Sequence, residues 1–369
     1  MTDRLTVVLD EVGERAPTMV GRYSTEMARG LIATAPEGFG VVGISAKLSD
    51  GRAARVAAQL PGLADMRRTA VPARELREAW LHSLTTLPVR GLVHATSLMA
   101  PLRRDPGPGD QVTVTVHGLQ SFSDRSKRKQ QWFDRALKRA LLLADGVVVP
   151  TTAVAEDLAR RFDTGEKVRV VHPAASAALL GASASGESEI RLSLPDEFVL
   201  AITSPGARAD AQRLVETVAS TSMPDVRVVV AGPVEWGETR LAGLAVDAGI
   251  RPGRLVMLGQ LDDAQLALAH RRALAHLLVS EQDALGLSLL DAAALGTPTV
   301  HPATRSLTEI GGGASVAVDG GPDELASALG ALLADDEERT RLRLLAQDRA
   351  QAFTWEAAAR QVWQLHAEL

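Results

Sequence analysis

Short apolar runs alternate with longer amphipathic stretches along the whole chain. Because strands buried on both faces read as continuous apolar runs and crossover helices show a 3.6-residue period, this alternation predicts an α/β fold with parallel sheets. The runs fall into two series, which predicts two doubly wound units. The predicted strands are Leu5–Leu9, Val41–Ile44, Gly91–His94, Val112–Val116, Gly146–Val149, Val168–Val171, Phe198–Thr203, Arg227–Ala231, Arg254–Leu258, His276–Val279, Thr299–His301 and Ser315–Val318.

A segment of small and polar residues separates the two series. Gly181 to Glu189, GASASGESE, offers nothing to bury in a core and is typical of a linker or an exposed loop. We therefore expect one domain over residues 1–180 and another over 190–352. The last stretch, 353–369, has the period of an amphipathic helix, with Thr354 as its N-cap.

Composition narrows the class of protein. At 369 residues, the chain suits two domains of ordinary size. It has no run of about 18 apolar residues, and the apolar run near its start is too short for the core of a signal peptide, so we expect a cytoplasmic protein. The absence of cysteine excludes disulfides and thiolate metal sites, and a net charge of −5 argues against general nucleic-acid binding.

The most informative local pattern lies in residues 276–300, HLLVSEQDALGLSLLDAAALGTPTV. A predicted strand leads into a loop with an acid and a glycine, and the helix Leu287 to Leu295 follows. Gly286 lets backbone amides approach a ligand, and the helix N-terminus suits phosphate oxygens. Asp283 on the loop is then placed for the neutral end of a phosphate-bearing ligand. Asp291 inside the helix is placed to accept hydrogen bonds from ribose hydroxyls.

This segment resembles the glutamate-seven-glutamate signature of retaining glycosyltransferase family 4, PS-x-x-EGFGL-x-x-LEAMA-x-G-x-PVV. Asp283 and Asp291 stand where that family has glutamates. The resemblance implies the GT-B fold, which has two Rossmann-like domains facing a central cleft, with the C-terminal helix 353–369 packed back on the N-terminal domain. The match continues through Gly286, Leu287, Leu290, Ala292, Ala294, Gly296, Pro298 and Val300.

The resemblance also implies an activity. Family members move a hexose, most often mannose or glucose, from a nucleotide-diphosphate sugar to an acceptor hydroxyl with retention of configuration. The acceptors implied here are glycans or lipid-linked glycans of the cell envelope. In this family the leaving diphosphate can itself take the proton of the acceptor, so no protein nucleophile is expected. No cofactor and no metal ion are expected either, since no two aspartates are two positions apart as in the D-x-D motif of the other large glycosyltransferase fold.

The donor-phosphate loop departs from the family pattern. In FVLAITSPGARADAQRLVETVA, alignment with the family puts Ala209 at the position of the lysine that meets the donor diphosphate, and Thr203 at that of a glycine. Arg208 is expected to substitute for that lysine, and Arg213 is the other nearby cation. The residues expected to bind the donor are Ser204, Arg208, Ala284, Leu285, Gly286, Leu287 and Asp291.

His117 is the best candidate in the first domain. It ends the strand Val112–Val116, and ligands of doubly wound sheets bind at the carboxyl ends of strands. In the family, a histidine at this position lies near the transferred sugar, so His117 and Asp283 are the expected catalytic residues. The alternative is a histidine that only caps the end of its strand.

Three residues are expected on the acceptor side. His94 resembles the family's V-H-x-H strand end, and a packed structural histidine is the equal alternative. Gly21 and Arg22 lie where family members read GGIGRY, although Met19 and Val20 precede the glycine here. Gly21 would let a ligand approach the backbone. Arg22 would bind an anion of the acceptor, or else form an ion pair at the start of its helix.

Two further features leave alternatives open. Seven cations lie in DRSKRKQQWFDRALKRA, and its segment 125–139 is expected to meet anionic lipid heads at the inner face of the membrane or a phosphorylated acceptor, or else to be a solvated helix face. The chain also allows a homologue that has lost catalysis and serves as a scaffold for an active glycosyltransferase, because it departs from the family at Met19, Thr203, Ala209, Asp283 and Asp291. Binding of a nucleotide sugar would separate the enzyme from the scaffold.

Overall fold

The chain forms two compact α/β units. The computed structural model describes residues 3–9, 11–14, 17–84, 89–105, 107–119, 127–183, 192–204, 208–236 and 239–369. Contacts between Cα atoms divide these into unit 1, which comprises the described residues up to 173 together with 354–369, and unit 2, which comprises 174–353. The division therefore falls just ahead of the segment Gly181 to Glu189 that the sequence marks, most of which lies outside the described residues.

Unit 1 is a doubly wound parallel sheet of seven strands in the order β3-β2-β1-β4-β5-β6-β7. Its strands are β1 (Asp3–Val8), β2 (Phe39–Ser45), β3 (Asp65–Arg68), β4 (Leu92–Ala95), β5 (Gln111–Thr115), β6 (Gly146–Val149) and β7 (Val168–Val170). Its helices are α1 (Met19–Ala33), α2 (Asp50–Gln59), α3 (Ala73–Leu81), α4 (Lys127–Leu143) and α5 (Thr152–Arg161), and a last helix near the end of the chain completes it.

The helix at the end of the chain, Trp355–Glu368, belongs to unit 1 and packs on α1. Its N-cap Thr354 accepts a hydrogen bond from the amide of Ala357, as the sequence predicted. The indole Nε1 of Trp363 donates to the carbonyl of Leu31 at 3.2 Å. A Cβ at Gly30 would lie 2.7 Å from the carbonyl oxygen of Trp355, so only glycine lets the two helices approach this closely.

Unit 2 is a second doubly wound parallel sheet, of six strands in the order β12-β9-β8-β13-β14-β15, with a two-stranded antiparallel hairpin β10-β11. Its strands are β8 (Phe198–Ile202), β9 (Arg227–Ala231), β10 (Glu235–Trp236), β11 (Thr239–Arg240), β12 (Leu255–Gly259), β13 (Ala275–Leu277), β14 (Thr299–Pro302) and β15 (Val316–Val318). Its helices are α6 (Ala177–Ser183), α7 (Arg208–Ala219), α8 (Leu241–Asp247), α9 (Asp263–Arg272), α10 (Leu287–Ala294), α11 (Arg305–Gly311), α12 (Pro322–Ala334) and α13 (Asp336–Gln351), and the helix of unit 1 near the end of the chain is α14.

The cores of both units explain why these strands form. Leu5 and Val7 of β1 and Val228 and Val230 of β9 are fully buried, as expected of central strands covered by helices on both faces. These two sheets confirm the predicted fold class. Helix α6 packs on α9, which places it in unit 2, although the sequence assigned its residues up to 180 to the first domain and the rest to the linker.

Candidate functional site

The strand orders fix where a ligand would bind in each unit. A doubly wound sheet has a switch point where consecutive connections leave in opposite directions, and ligands bind beyond the carboxyl ends of the strands there. In unit 2 the switch point lies between β8 and β13, which are neighbours in the sheet. The loop after β8 leads to Arg208, and the loop after β13 carries residues 280–286. The fold therefore brings together the two segments that the sequence predicted to bind the donor.

Asp283 shapes the loop that leads into α10. Its Oδ1 accepts hydrogen bonds from the amides of Leu285 at 3.1 Å and Gly286 at 2.8 Å. Gly286 has φ +59°, and a Cβ there would lie 2.4 Å from Cδ1 of Ile310, so glycine is required at the start of the helix. One carboxylate oxygen of Asp283 thus occupies backbone amides that were predicted to face a phosphate.

Asp291 is fully buried on α10, with 0% of its surface exposed. Its Oδ1 accepts a hydrogen bond from the amide of Ser176 at 2.8 Å, just ahead of α6. The carboxylate therefore holds two segments of unit 2 together and is not open to solvent. Its predicted contact with a ribose stays a prediction, and in this conformation the acid makes a structural contact.

The entrance of α7 carries the other donor-side residues. Thr203, at the position of the family's glycine, turns its hydroxyl back to donate to the carbonyl oxygens of Ala231 at 3.1 Å and Pro233 at 2.6 Å. Ser204 is half-buried, and Arg208 is exposed as the first residue of α7. Arg208 forms no ion pair with the described residues.

Sequence reasoning missed an ion pair across this switch point. The guanidinium Nη2 of Arg213 on α7 lies 2.5 Å from Oε1 of Glu281 on the loop after β13. The Nη1 of the same guanidinium is buried and has no hydrogen-bond partner in the described part of the chain. Arg213 on α7 and Glu281 on the loop after β13 were visible in the sequence, but no spacing rule links them.

Buried histidines lie beneath α10. His276 on β13 is fully buried, and its Nε2 lies 3.4 Å from the hydroxyl of Ser288 on α10. His270 packs edge-on against it, with ring centroids 5.4 Å apart. Burial lowers the pKa of His276 well below its ordinary value, and burial also lowers that of His301 on β14. The imidazoles of His276 and His301 are therefore neutral at pH 7.

In unit 1 the switch point lies between β1 and β4, and His117 follows β5, the next strand along. Its Nε2 lies 2.8 Å from the carbonyl oxygen of Thr96. Because a carbonyl can only accept, Nε2 carries the proton and Nδ1 keeps a lone pair. Burial lowers the pKa of His117 to about 4, and no described residue bonds to its buried Nδ1.

The ring of His117 is held by packing as well. Tyr23 on α1 meets it edge to face, with ring centroids 4.7 Å apart, and the ring of Trp355 lies 5.5 Å from that of Tyr23. Nδ1 of His117 is therefore a neutral hydrogen-bond acceptor that is buried in this conformation, at the carboxyl edge of the sheet. The strand-end rule predicted its position.

The loop after β1 forms without the family's first glycine. Thr18 caps α1 by accepting from the amide of Gly21 at 3.1 Å, and its hydroxyl donates to the carboxylate of Glu11. A Cβ at Gly21 would lie 2.9 Å from the carbonyl oxygen of Glu11. Glu11 itself has φ +61°, which is rare for a residue with a side chain. Arg22 is half-buried in the first turn of α1.

His94 is a packed interior histidine. It has no exposed surface, its Nδ1 lies 2.9 Å from the hydroxyl of Thr113, and its Nε2 lies 3.4 Å from that of Thr115. Burial lowers its pKa to about 3, with the neighbouring His366 as a smaller cause. An acceptor substrate cannot contact this side chain in the present conformation. The role of His94 in binding that substrate stays a prediction.

The basic segment 125–139 lies partly outside the described residues. Its described part begins with α4, where Lys127, Arg128 and Lys129 are exposed, and Arg139 donates to the hydroxyl of Ser83 at 2.6 Å. No helix in the described ranges is long and apolar enough to cross a membrane. Over the same ranges, no group of three or more histidine, aspartate or glutamate side chains is arranged to hold a metal ion.

Two family models match the two halves of the chain. The model described as Glycosyltransferase Family 4 matches residues 20–178, and the model described as Glycosyl transferase-like matches residues 208–364. Together they account for most of both units. The chain belongs to glycosyltransferase family 4. Asp283 and Asp291 lie in the half that matches the second of these models.

Curated relatives of this family 4 chain are similar over part of their length. A D-inositol 3-phosphate glycosyltransferase of Xylanimonas cellulosilytica is 29% identical over 248 residues, which cover 63% of this chain and 58% of the relative. A phosphatidyl-myo-inositol mannosyltransferase of Mycolicibacterium smegmatis is 31% identical over 151 residues, which cover 39% of this chain and 37% of the relative. The chain spans between about a third and two-thirds of the length of the curated relatives it matches.

Solved structures share the fold over almost the whole chain. A sucrose-phosphate synthase from Thermosynechococcus elongatus superposes with a TM-score of 0.72 at 20% identity, covering 99% of this chain and 98% of that chain. Anabaena Alr3699/HepE in complex with UDP-glucose superposes with a TM-score of 0.68 at 15% identity, covering 99% and 100%. With the two parallel sheets, these likenesses confirm the GT-B fold of two Rossmann-like domains.

Proposed function

We propose that this family 4 chain transfers a hexosyl group from a nucleoside-diphosphate sugar to an acceptor hydroxyl, with retention of configuration. The observation that carries this proposal is the approach of α7 to the loop after β13 at the switch point of unit 2, where Arg213 pairs with Glu281. The same loop leads through Gly286 into the N-terminus of α10. A helix N-terminus beside a cation suits a diphosphate. The names of the curated relatives support the same class of reaction.

The donor would bind to unit 2. Ser204 and the loop residues Ala284 to Leu287 would surround the phosphates, and Asp283 would leave the loop amides and turn to the hydroxyls of the hexose. Mannose or glucose is the proposed hexose. One relative is named as a mannosyltransferase, and one solved neighbour holds UDP-glucose.

The acceptor would bind to unit 1. The neutral Nδ1 of His117 would accept a hydrogen bond from a sugar or acceptor hydroxyl, and Arg22 would meet an anion on the acceptor. We propose a phosphorylated polyol or a lipid-linked glycan as the acceptor, because two relatives are named for inositol 3-phosphate and for phosphatidyl-myo-inositol. A role in synthesis of the cell envelope follows from that choice of acceptor.

The proposed reaction needs no protein nucleophile. The bond between the anomeric carbon and the leaving phosphate oxygen breaks, and the acceptor oxygen bonds to the anomeric carbon on the same face. The acceptor proton passes to the departing diphosphate. The protein positions the two substrates and stabilises the negative charge that grows on the diphosphate.

A thermal-shift titration tests donor binding first. The wild-type protein would be titrated with UDP, GDP, ADP and dTDP and with their hexose conjugates, because a ligand that binds the folded state raises the melting temperature. We expect one base to stabilise the protein and the nucleotide sugar to stabilise it further. An NMR assay of the product's anomeric configuration would then test retention. Inversion would contradict the proposed mechanism.

The second candidate is a homologue that no longer catalyses and acts as a scaffold for an active glycosyltransferase. The observation that favours it is the self-satisfied donor side, where Asp283 bonds to its own loop and Asp291 is buried against Ser176. A scaffold need not bind nucleotides. If millimolar concentrations of all four diphosphates left the melting temperature unchanged, the scaffold would be the better proposal.

A further inference from the structure

Helix α7 carries a cation one turn beyond the position of the missing lysine. Ala209 stands where the family has that lysine, and Arg213 lies four residues later on the same helix. Residues four apart share a helix face, and helical side chains lean toward the N-terminus. The long side chain of Arg213 therefore leans back toward the place that the lysine would fill.

The contacts of Arg213 confirm that it faces the switch point. Its Nη2 lies 2.5 Å from Oε1 of Glu281, on the loop that follows β13. Because β8 and β13 are neighbours in the sheet, this ion pair joins α7 to the loop after β13 at the switch point, where a nucleotide would bind. The guanidinium is mostly buried, with 22% of the side chain exposed, whereas 52% of the Glu281 side chain is exposed.

The guanidinium of Arg213 also has an unpaired hydrogen-bond donor among the described residues. Its Nη1 is buried and, among the residues that the structure describes, has no hydrogen-bond partner. A buried donor without a partner is costly, so an acceptor arriving at this position is favoured. A phosphate offers several charged acceptor oxygens and matches the fork of a guanidinium, which the single carboxylate oxygen of Glu281 does not satisfy.

Arg208 lacks these features. It is the first residue of α7, it is exposed, and it pairs with no described carboxylate. An exposed and mobile cation contributes little to binding, because water and salt screen its charge.

We propose that Arg213, and not Arg208, supplies the positive charge to the donor diphosphate, and that Glu281 is the counter-ion that holds Arg213 until the donor arrives. This inference rests on the proposed glycosyltransferase function. On donor binding, the phosphate replaces Glu281 at the guanidinium, and Glu281 moves into solvent. The lost lysine at position 209 is thereby compensated by a longer side chain one turn further along α7.

Calorimetric titration of four proteins tests the inference. Wild type, Arg213→Gln, Arg213→Lys and Arg208→Gln would each be titrated with UDP, GDP, ADP and dTDP and with the matching nucleosides. We expect Arg213→Gln to weaken diphosphate binding by about ten- to a hundredfold, with the Lys variant in between and Arg208→Gln within about twofold of wild type. Nucleoside binding should be unchanged in every variant, because nucleosides carry no phosphate.

The outcomes separate this inference from the proposed function. If wild type binds none of the four diphosphates, the proposed function fails and this inference fails with it. If wild type binds one of them and Arg213→Gln binds it equally well, or if Arg208→Gln is the variant that loses binding, the inference alone is overturned.

A second variant guards against a misfolded Arg213→Gln protein. Glu281→Gln removes the competing charge on an exposed loop residue while leaving Arg213 in place. We expect it to bind the diphosphate about two- to fivefold more tightly than wild type, because no carboxylate has to be displaced. Equal or weaker binding would contradict the role of Glu281 as a displaceable counter-ion.

Discussion

The candidate groups at the carboxyl edges of the two sheets are in different states. In unit 1, His117 donates its one proton to the carbonyl of Thr96, and its ring is held against Tyr23 while its Nδ1 lone pair stays unused by the described residues. In unit 2, Asp283 bonds to the amides of its own loop, and Arg213 pairs with Glu281. Unit 1 keeps a neutral hydrogen-bond acceptor prepared but buried, whereas unit 2 neutralises its charges internally.

This difference follows from the cost of burying each group. A neutral imidazole can be partly buried with one nitrogen lone pair unpaired at a modest cost in folding free energy. A carboxylate or a guanidinium costs far more without a partner. Unit 2 must therefore exchange internal partners for ligand contacts when a donor binds, whereas Nδ1 of His117 in unit 1 has no partner among the described residues to exchange.

Acidification tests the buried neutral histidines of unit 1 and should have the largest effect. Burial lowers the pKa of His94 to about 3 and that of His366 to about 4, below the ordinary 6.5 of the unfolded chain. The folded protein then binds fewer protons than the unfolded one, so stability is complete above pH 6.5 and is lost as pH falls toward 4. Each of the two should cost about 1.4 kcal/mol per pH unit in that window.

Thermal unfolding at pH values from 7.5 to 4.5 measures this loss. His366→Gln provides the matched comparison, because glutamine cannot be protonated there, and its stability should fall less steeply with acid than that of wild type. A melting temperature that stays constant from pH 7 to pH 5 would contradict the neutral burial of these histidines.

Substitution of His117 tests the prepared acceptor of unit 1. Glutamine can still reach the carbonyl of Thr96 but lacks an acceptor at the Nδ1 position, whereas asparagine keeps an acceptor near that position. We expect His117→Gln to lower kcat/KM by about a hundredfold, mainly through kcat, and His117→Asn to retain part of the activity. Initial rates with the donor identified by thermal shift would measure both. Full activity of the Gln variant would show that Nδ1 of His117 takes no part in the reaction.

Much of the fold was predictable because the central strands are continuous apolar runs. Strands β6 and β9 are rich in valine, and such continuous apolar runs are typical of strands inside a sheet that is covered on both faces. Strand β3 was missed, since its sequence DMRR has one apolar residue and the strand lies at an exposed edge of the sheet. The pairing of the two-residue strands β10 and β11 left no sequence pattern either.

The candidate site was predictable in position but not in contacts. The strand-end rule identified His117, and the spacing around Gly286 identified the entrance of α10. The partners of Asp283, Asp291 and Arg213 depend on how loops distant in sequence meet, which no local period encodes. The sequence alone therefore predicted Arg208 and Asp291 at the donor, and it could not show that Arg213 pairs with Glu281 or that Asp291 bonds to Ser176.

Substitution of Asp291 distinguishes a structural acid from a ribose-binding one. In Asp291→Ala the amide of Ser176 would lose its partner in a buried place, which should cost about 2 kcal/mol and lower the melting temperature of unit 2 by about 4–8 °C. Asp291→Asn keeps an acceptor oxygen and should lose less. Both variants should still bind the nucleoside diphosphate. Unchanged stability with lost binding would favour the ribose role instead.

Substitution of Asp283 should have the smallest effect and tests whether its carboxylate binds the hexose or only shapes the loop before α10. Asp283→Asn keeps an oxygen for the amides of Leu285 and Gly286, so the melting temperature should stay within about 1 °C of wild type. Without the charge, we expect about tenfold weaker binding of the nucleotide sugar, because a neutral amide is the weaker acceptor for sugar hydroxyls.

The matched control for Asp283→Asn is binding of the nucleoside diphosphate without its sugar, which should change by less than about twofold because the hexose contact is absent. Equal losses for the diphosphate and its sugar conjugate would assign Asp283 to the phosphates instead. No loss for either would mean that this carboxylate only shapes the loop, in which case the donor site of unit 2 would need no exchange of partners at Asp283.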